Sequence, residues 1–294
     1  MGLRSLVLVA AACWCAGWLV EPPAPARFVQ HDVRIAAQDG RTTLAITVLR
    51  PGGAGPFGAV ILNHGVPFDA RGRSLESPEM LLHTAAAFAQ RGYAVVMPLR
   101  RGFGATGGEF AEDPGACASA DYLAGERAAA EDVLAAYAFA RRLPFVDPAR
   151  AILAGQSAGG VAALYAAAQA PEGLAAVLAF AAGRGADPAH PGVPCAHERL
   201  ATVFEQVGRT LQAPALLYYA ENDAFFGPET SRAWFARLKA GGARAEYVLQ
   251  PPFGQNGHYV FTDADGAALW LPVVERFLER YGIPFRPLVP EHLA

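Results

Sequence analysis

A short apolar segment that runs into a G-x-S-x-G sequence most strongly constrains the fold of this chain. Residues 151–154 are apolar, Gly155-Gln156-Ser157-Ala158-Gly159 follows at once, and a helical pattern begins directly after it. This order is typical of a strand-to-helix turn with a serine at its apex, where the strained backbone requires nearly side-chain-free residues at Gly155 and Gly159. The sequence therefore predicts Ser157 as a nucleophile.

Strand and helix patterns alternate on both sides of this turn. Apolar–polar alternation at 28–37 and 42–49 predicts a hairpin, and apolar runs predict buried strands at 59–62, 93–97, 174–181, 215–219 and 246–249. Apolar residues at helical spacing predict helices at 77–88, before Pro144, before Pro171, and around 200–211, 229–238 and 274–281. The alternation predicts an α/β fold, with a mostly parallel twisted sheet of about eight strands, helices on both faces and ligands at the carboxyl ends of the strands.

Length and composition favour one domain, over 27–294. The 294 residues are 53% hydrophobic and 17% charged, which is enough apolar surface for a large core. The formal net charge is -3, without a Lys/Arg run or a basic helix face. We therefore expect no nucleic acid partner and no attraction to an anionic membrane surface.

Residues 1–26 have the pattern of a secretory signal peptide. Arg4 gives a positive start, 5–20 are apolar and uncharged, and Ala24-Pro25-Ala26 offers small residues at the cleavage spacing. This predicts a secreted or periplasmic protein without stable membrane insertion once the signal is removed. A retained membrane anchor, or a lipid anchor at Cys13, is the alternative.

Removal of the signal would leave only two cysteines, Cys117 and Cys195. In an oxidising compartment such a pair tends to join, so a disulfide is a hypothesis, with two unconnected thiols as the alternative.

A serine nucleophile needs a base within hydrogen-bond reach and an acid that orients the base. In this fold the acid and then a histidine should follow the serine, each on a loop after a late strand. Asp223 and His258 occupy those places, with Glu221 as the alternative acid.

The oxyanion of an acyl-transfer reaction needs two N–H donors. Ala158 follows the nucleophile and is predicted to supply one. Val66 is predicted to supply the other from the loop after an early strand, because Gly65 permits a turn there and Pro67 has no N–H. His64 is expected to brace this loop.

Several motifs together resemble the α/β-hydrolases of the dienelactone-hydrolase-like and serine-peptidase-like branch. The resemblance spans 28–282 and is carried by His64-Gly65, 101–108, 155–160, Asn222-Asp223 and Gly257-His258. It implies a triad of Ser157, Asp223 and His258 and no metal or organic cofactor. The chain departs from the pattern in two places: strict dienelactone hydrolases use cysteine as nucleophile, and Arg100 stands where an aspartate is frequent.

This set of residues predicts a serine hydrolase that cleaves small carboxylic esters or lactones through an acyl-enzyme. The alternatives are an aminopeptidase or other amide-cleaving peptidase, and a catalytically inert binding module. The segment 183–212 is too short for a large helical cap, and 183–194 is predicted to be a loop over the site. Aromatic residues near the site loops are candidates for an acyl pocket, with buried packing as the alternative for each of them: Phe68, Phe103, Phe225, Phe226 and Tyr259.

Overall fold

The computed structural model describes residues 28–187 and 189–288. Eight strands lie in this part of the chain: β1 (Phe28–Ala36), β2 (Thr43–Pro51), β3 (Phe57–Asn63), β4 (Tyr93–Pro98), β5 (Val146–Gln156), β6 (Leu174–Phe180), β7 (Ala215–Ala220) and β8 (Ala245–Gln250). The α-helices of the same part are α1 (Ala70–Ser74), α2 (Leu82–Ala89), α3 (Tyr122–Ala140), α4 (Ala158–Ala167), α5 (His197–Thr210), α6 (Pro228–Ala240) and α7 (Ala267–Arg280).

The strands form one sheet in the order β1-β2-β4-β3-β5-β6-β7-β8. β1 pairs antiparallel with β2, and β2 with β4, whereas the later pairs are parallel. The carboxyl ends of the parallel strands therefore meet at one end of the sheet, where ligands of such folds bind. The predicted α/β sheet of about eight strands is confirmed.

Helices cover both faces of the sheet. Successive side chains of a strand point to opposite faces, so Ala59 and Ile61 of β3 pack into one core and Val60 and Leu62 into the other. Helices α3, α4, α5 and α6 bury their apolar residues in the first core, and α2 and α7 bury theirs in the second. Because β3 is apolar on consecutive residues, both of its faces are covered, as its sequence predicts.

The predicted helix after Ser77 is correct in place but not continuous. Ser77 Oγ accepts the Glu79 N–H at 3.3 Å, a 3-10 turn covers Pro78–Leu81, and α2 begins only afterwards. The short helix α1 was not predicted, because its five residues bury no side chain and so show no apolar period.

The connection from β6 to β7 contains α5, which packs against the sheet and α6. Leu200 and Val207 are buried, and the Phe204 ring stacks on Trp234 of α6 at 5.5 Å between centroids. Within its described residues this connection therefore forms no large cap over the carboxyl ends of the strands.

The predicted signal peptide, with Cys13 and the cleavage site before Arg27, lies outside the described residues. Across 28–187 and 189–288, no helix is both long and apolar enough to cross a bilayer.

A disulfide joins Cys117 to Cys195, which are 78 positions apart. Cross-linking so long a loop restricts the unfolded chain, so we expect the Cys117→Ser/Cys195→Ser variant to lose about 4 kcal/mol of unfolding free energy. Urea denaturation of both proteins measures this difference, and two free thiols in the unreduced wild-type protein would contradict the cross-link.

Candidate active site

Ser157 lies at the apex of the turn between β5 and α4. Its backbone is strained, with φ at 58°, in the left-handed region that non-glycine residues rarely adopt. A Cβ on Gly155 would lie 2.3 Å from the carbonyl oxygen of Gly159, and one on Gly159 would lie 2.3 Å from that of His64. Both glycines are therefore required by close approach of backbone, as the sequence pattern predicts.

The structure brings His258 and Asp223 to the same end of the sheet. Asp223 follows β7, His258 lies in a 3-10 turn after β8, and both side chains are buried. His258 Nδ1 lies 3.0 Å from Asp223 Oδ2 and 3.1 Å from Oδ1. This contact leaves Nε2 as the free ring nitrogen. Glu221, the alternative acid, is exposed.

Ser157 and His258 line one cavity of about 410 Å³. Among the described residues, the Ser157 hydroxyl forms no hydrogen bond with any other group. A hydroxyl without another partner is available to a base. In unliganded enzymes the hydrogen bond between a nucleophile and its base is often long, and it shortens only when substrate binds.

Two asparagines hold the loops of Asp223 and His258 together. Asn256 Oδ1 accepts the N–H groups of Ala224 and His258, both at 3.0 Å. Asn222 in turn accepts the N–H of Phe253 at 2.9 Å and donates to its carbonyl at 3.0 Å. These bonds fix one loop against the other, and therefore Asp223 against His258.

Gln156 connects the serine turn to the histidine loop. Its Nε2 donates to the His258 carbonyl oxygen at 3.0 Å, and its side chain is almost fully buried. The second residue of the G-x-S-x-G sequence thus holds the His258 loop, a contact that the motif alone did not predict.

The two predicted oxyanion donors, Val66 and Ala158, line a second cavity of about 260 Å³ together with Ser157. Neither amide donates to another described group. Ala158 is also the first residue of α4, so the partial positive charge of the helix N-terminus acts at the same place. The backbone of Gly65 is not in the left-handed region. Its lack of a side chain leaves room for the serine turn, because a Cβ at this position would lie 3.2 Å from Ser157 Cβ.

The two cavities meet at Ser157, and most of the predicted aromatic residues line them. Phe68 lines both, Phe225 and Tyr259 line the larger, and Phe226 lines the smaller. Phe225 packs edge-on against the His258 ring at 4.6 Å.

Phe103 lines neither cavity, so the buried-packing alternative applies to this residue. Its ring is fully buried and packs against His64 at 4.5 Å and Phe110 at 5.5 Å between centroids. Its position near the site in sequence reflects packing, not contact with the cavities.

Four buried charges lie beneath the site: Arg100, Glu112, Arg184 and Glu126. Glu112 accepts from both arginines, and Arg184 also donates to Glu126. Burial raises the pKa of Glu112, but the two arginine charges outweigh it and lower the value to about 2. Burial raises the pKa of Glu126 to about 7. The sequence did not reveal this cluster, apart from the unusual Arg100.

Glu76 is a carboxyl group in the wall of the larger cavity. Burial raises its pKa to about 7, against the opposing effect of the Arg100 charge. Its carboxylate forms no hydrogen bond or ion pair with the described residues. No group of three or more potential metal ligands occurs in the described parts of the chain.

The sheet order, the strained serine turn and the loops that follow β7 and β8 define the class of this protein as an α/β-hydrolase. The chain belongs to the X-Pro dipeptidyl-peptidase (S15) family, whose model matches residues 39–206, more than half of its length. The match includes Ser157 and ends before Asp223 and His258. The fold and the family match therefore identify this chain as a hydrolase.

Solved structures with the same fold include esterases, a dienelactone hydrolase and a dipeptidyl aminopeptidase. A proposed dienelactone hydrolase from Klebsiella pneumoniae is 19% identical, with a TM-score of 0.59 over 87% of this chain and 100% of that one. An esterase from Pyrobaculum calidifontis is 17% identical, with a TM-score of 0.61 over 87% and 86%. A proposed dipeptidyl aminopeptidase IV from Bacteroides ovatus is 16% identical, with a TM-score of 0.63 over 86% of this chain but 36% of that one. At these identities the likeness shows the fold alone. Among curated proteins no sequence matches this chain.

Proposed function

We propose that this protein cleaves small carboxylic esters or lactones through an acyl-enzyme on Ser157. One observation carries the proposal: a serine on a strained turn shares a cavity with a buried imidazole whose Nδ1 is held by Asp223. A carboxylate at Nδ1 selects the tautomer that accepts a proton at Nε2 and stabilises the imidazolium that results.

The residues act in the following order. Ser157 Oγ attacks the carbonyl carbon while His258 Nε2 takes the hydroxyl proton, and the resulting oxyanion accepts from the Val66 and Ala158 amides. His258 then gives the proton to the departing alkoxide, which leaves an acyl group on Ser157. Water attacks this ester while His258 takes a proton from it, and the acid is released as His258 returns that proton to Ser157 Oγ.

The two cavities support a substrate whose acyl part and leaving group bind on opposite sides of Ser157. Ser157 lies where they meet, so the acyl part and the leaving group occupy about 410 Å³ on one side and about 260 Å³ on the other. Volumes of this order accommodate small molecules.

An X-Pro dipeptidyl peptidase is the second candidate. The family match favours it, and so does Glu76, because a dipeptidyl peptidase acts on a free amino terminus and Glu76 places an unpaired carboxyl in the substrate cavity. Rates on p-nitrophenyl esters and on glycyl-prolyl-p-nitroanilide, measured side by side, distinguish the two. We expect the higher kcat/KM on the esters, and a higher value on the anilide would reverse the assignment.

Glu76 should make the binding of cationic substrates depend on pH. With a pKa of about 7, its carboxyl is neutral below pH 7 and negative above it. About 1 kcal/mol of charge attraction in a partly solvated site changes an affinity about five-fold between the neutral and the ionised carboxyl. Because Glu76 is only partly titrated at either limit, we expect KM for a trimethylammonium ester to fall about three- to four-fold between pH 6 and pH 8 relative to its neutral tert-butyl isostere. The titration of His258 affects both substrates equally, so it cancels in the ratio of their KM values.

Two variants complete this test. Glu76→Gln should abolish the pH dependence of the ratio. Glu79→Gln, which changes an exposed residue outside the cavity, should leave it intact. If the ratio of KM values in the wild-type protein is the same at pH 6 and pH 8, Glu76 has no role in substrate recognition.

We also propose that the protein is exported and that its signal peptide is removed. The apolar segment at 5–20 and the small residues before Arg27 support removal of a signal peptide, and the Cys117–Cys195 disulfide suits an oxidising compartment. Amino-terminal sequencing of the protein recovered from the periplasm or the medium should begin near Arg27. An intact Met1 would contradict cleavage.

A further inference from the structure

Arg100 is a fully buried arginine whose guanidinium faces the back of the oxyanion loop. Nη1 donates to the His64 carbonyl at 2.9 Å, and Nη2 lies 3.5 Å from the Gly65 carbonyl. Nε donates to Glu112 at 2.6 Å. One side chain therefore contacts two successive carbonyls of the segment that carries the predicted donor Val66.

His64 holds the same segment from its other side. Burial and the nearby Arg100 charge lower its pKa to about 3, so the ring is neutral. Its Nε2 faces the Arg100 backbone N–H at 3.2 Å, and that N–H is a donor, so Nε2 accepts and Nδ1 carries the proton. Nδ1 then donates to the Gly65 carbonyl at 2.7 Å.

The Gly65 carbonyl and the Val66 N–H belong to one peptide unit. This unit is planar and trans, so the two groups point in opposite directions. Donors that hold the carbonyl on the buried side therefore aim the N–H toward the cavity that Val66 and Ser157 line.

We propose that Arg100, acting with neutral His64, is a positioning residue that aims the Val66 N–H at the oxyanion. The inference rests on the proposed acyl transfer at Ser157. It also gives a role to the residue that departs from the family pattern.

Glu112 fixes the guanidinium in this orientation. Its carboxylate accepts from Arg100 on one side and from Arg184 on the other, and Arg184 is itself paired with Glu126. A buried arginine that is paired in this way has no other orientation available without leaving a charge unpaired. Lysine in its place would keep the charge but would lose the planar fork that reaches Glu112 and His64 together.

Arg100→Lys tests the proposal. Misplacing one oxyanion donor lowers turnover without weakening binding of the substrate ground state. We expect kcat per active site, titrated with a fluorophosphonate, to fall about 10- to 100-fold while KM stays within about two-fold. An aryl boronic acid, whose adduct with Ser157 is tetrahedral, should lose a similar factor in affinity.

Arg101→Lys is the matched control. Arg101 is the next residue, is largely buried and pairs with Glu131 and Asp132, but it has no hydrogen bond to the oxyanion segment. Its kcat should stay within about two-fold of the wild-type value, because no oxyanion donor depends on it. A purely structural role for Arg100 predicts fewer titratable sites with normal turnover at each, and that result would overturn the inference.

A second pair of variants keeps the proposal testable if Arg100→Lys does not fold. Asparagine at position 64 can place an amide donor near the position of Nδ1, whereas leucine cannot. His64→Asn should therefore retain more kcat per titrated site than His64→Leu, and equal values would contradict the role of the Gly65 carbonyl. If wild-type Ser157 does not react with the fluorophosphonate, the proposed function fails instead.

Discussion

Ser157→Ala is expected to lower kcat on an activated ester by at least about four orders of magnitude. Ser157 Oγ is the only protein atom in the proposed mechanism that forms a covalent bond to the substrate. Without it His258 and Asp223 have no nucleophile to activate, so their contribution is lost at the same time. A residual rate above that in water would come from the oxyanion amides and from binding alone.

The measurement is kcat on a p-nitrophenyl ester, with thermal unfolding as the control for folding. Alanine also carries a Cβ, so the strained backbone at φ 58° is unchanged in kind and the melting temperature should stay close to that of the wild type. A folded variant with more than about one tenth of the wild-type kcat would show that another residue is the nucleophile.

Asp223→Asn is expected to have the second largest effect, a fall in kcat of about 10⁴-fold. Asp223 Oδ1 already accepts the backbone N–H groups of Phe225 and Phe226, at 2.8 and 3.0 Å, so the side chain is fixed in place. An amide at this position can face His258 with its NH₂ group. The ring would then carry its proton on Nε2 and could not accept one from Ser157.

Glu221→Gln is the matched control. Glu221 lies two residues before Asp223 but is exposed and has no side-chain partner among the described residues. We expect kcat within about two-fold of the wild-type value, as for surface changes away from special features. A large loss in this variant together with a small one in Asp223→Asn would exchange the roles of the two acids.

The sequence was sufficient to locate the serine turn and both loop residues because each has a local signature. Ser157 is marked by flanking glycines and by the change from strand to helix, while Asp223 and His258 each follow a short apolar strand. These are features of neighbouring residues, and the order of strands in this fold then brings them together.

The sequence could not reveal groups whose role depends on distant contacts. Arg100, Glu112, Glu126 and Arg184 come from four separate segments, and no spacing relates them. Phe103 lies near the site loops in sequence, which leaves both pocket lining and buried packing open, and the direction of its side chain is set by packing against His64. Glu76 belongs to a stretch between two short helices that has no periodic pattern.

Labelling with a fluorophosphonate, followed by peptide mapping, tests the central claim most directly. The probe reacts with a serine only where a base activates it and oxyanion donors receive the phosphoryl oxygen. We expect one label per chain on the peptide that contains Ser157, and none in Ser157→Ala or after thermal unfolding. A folded wild-type protein that remains unlabelled, or that carries the label on another residue, would contradict the proposed mechanism.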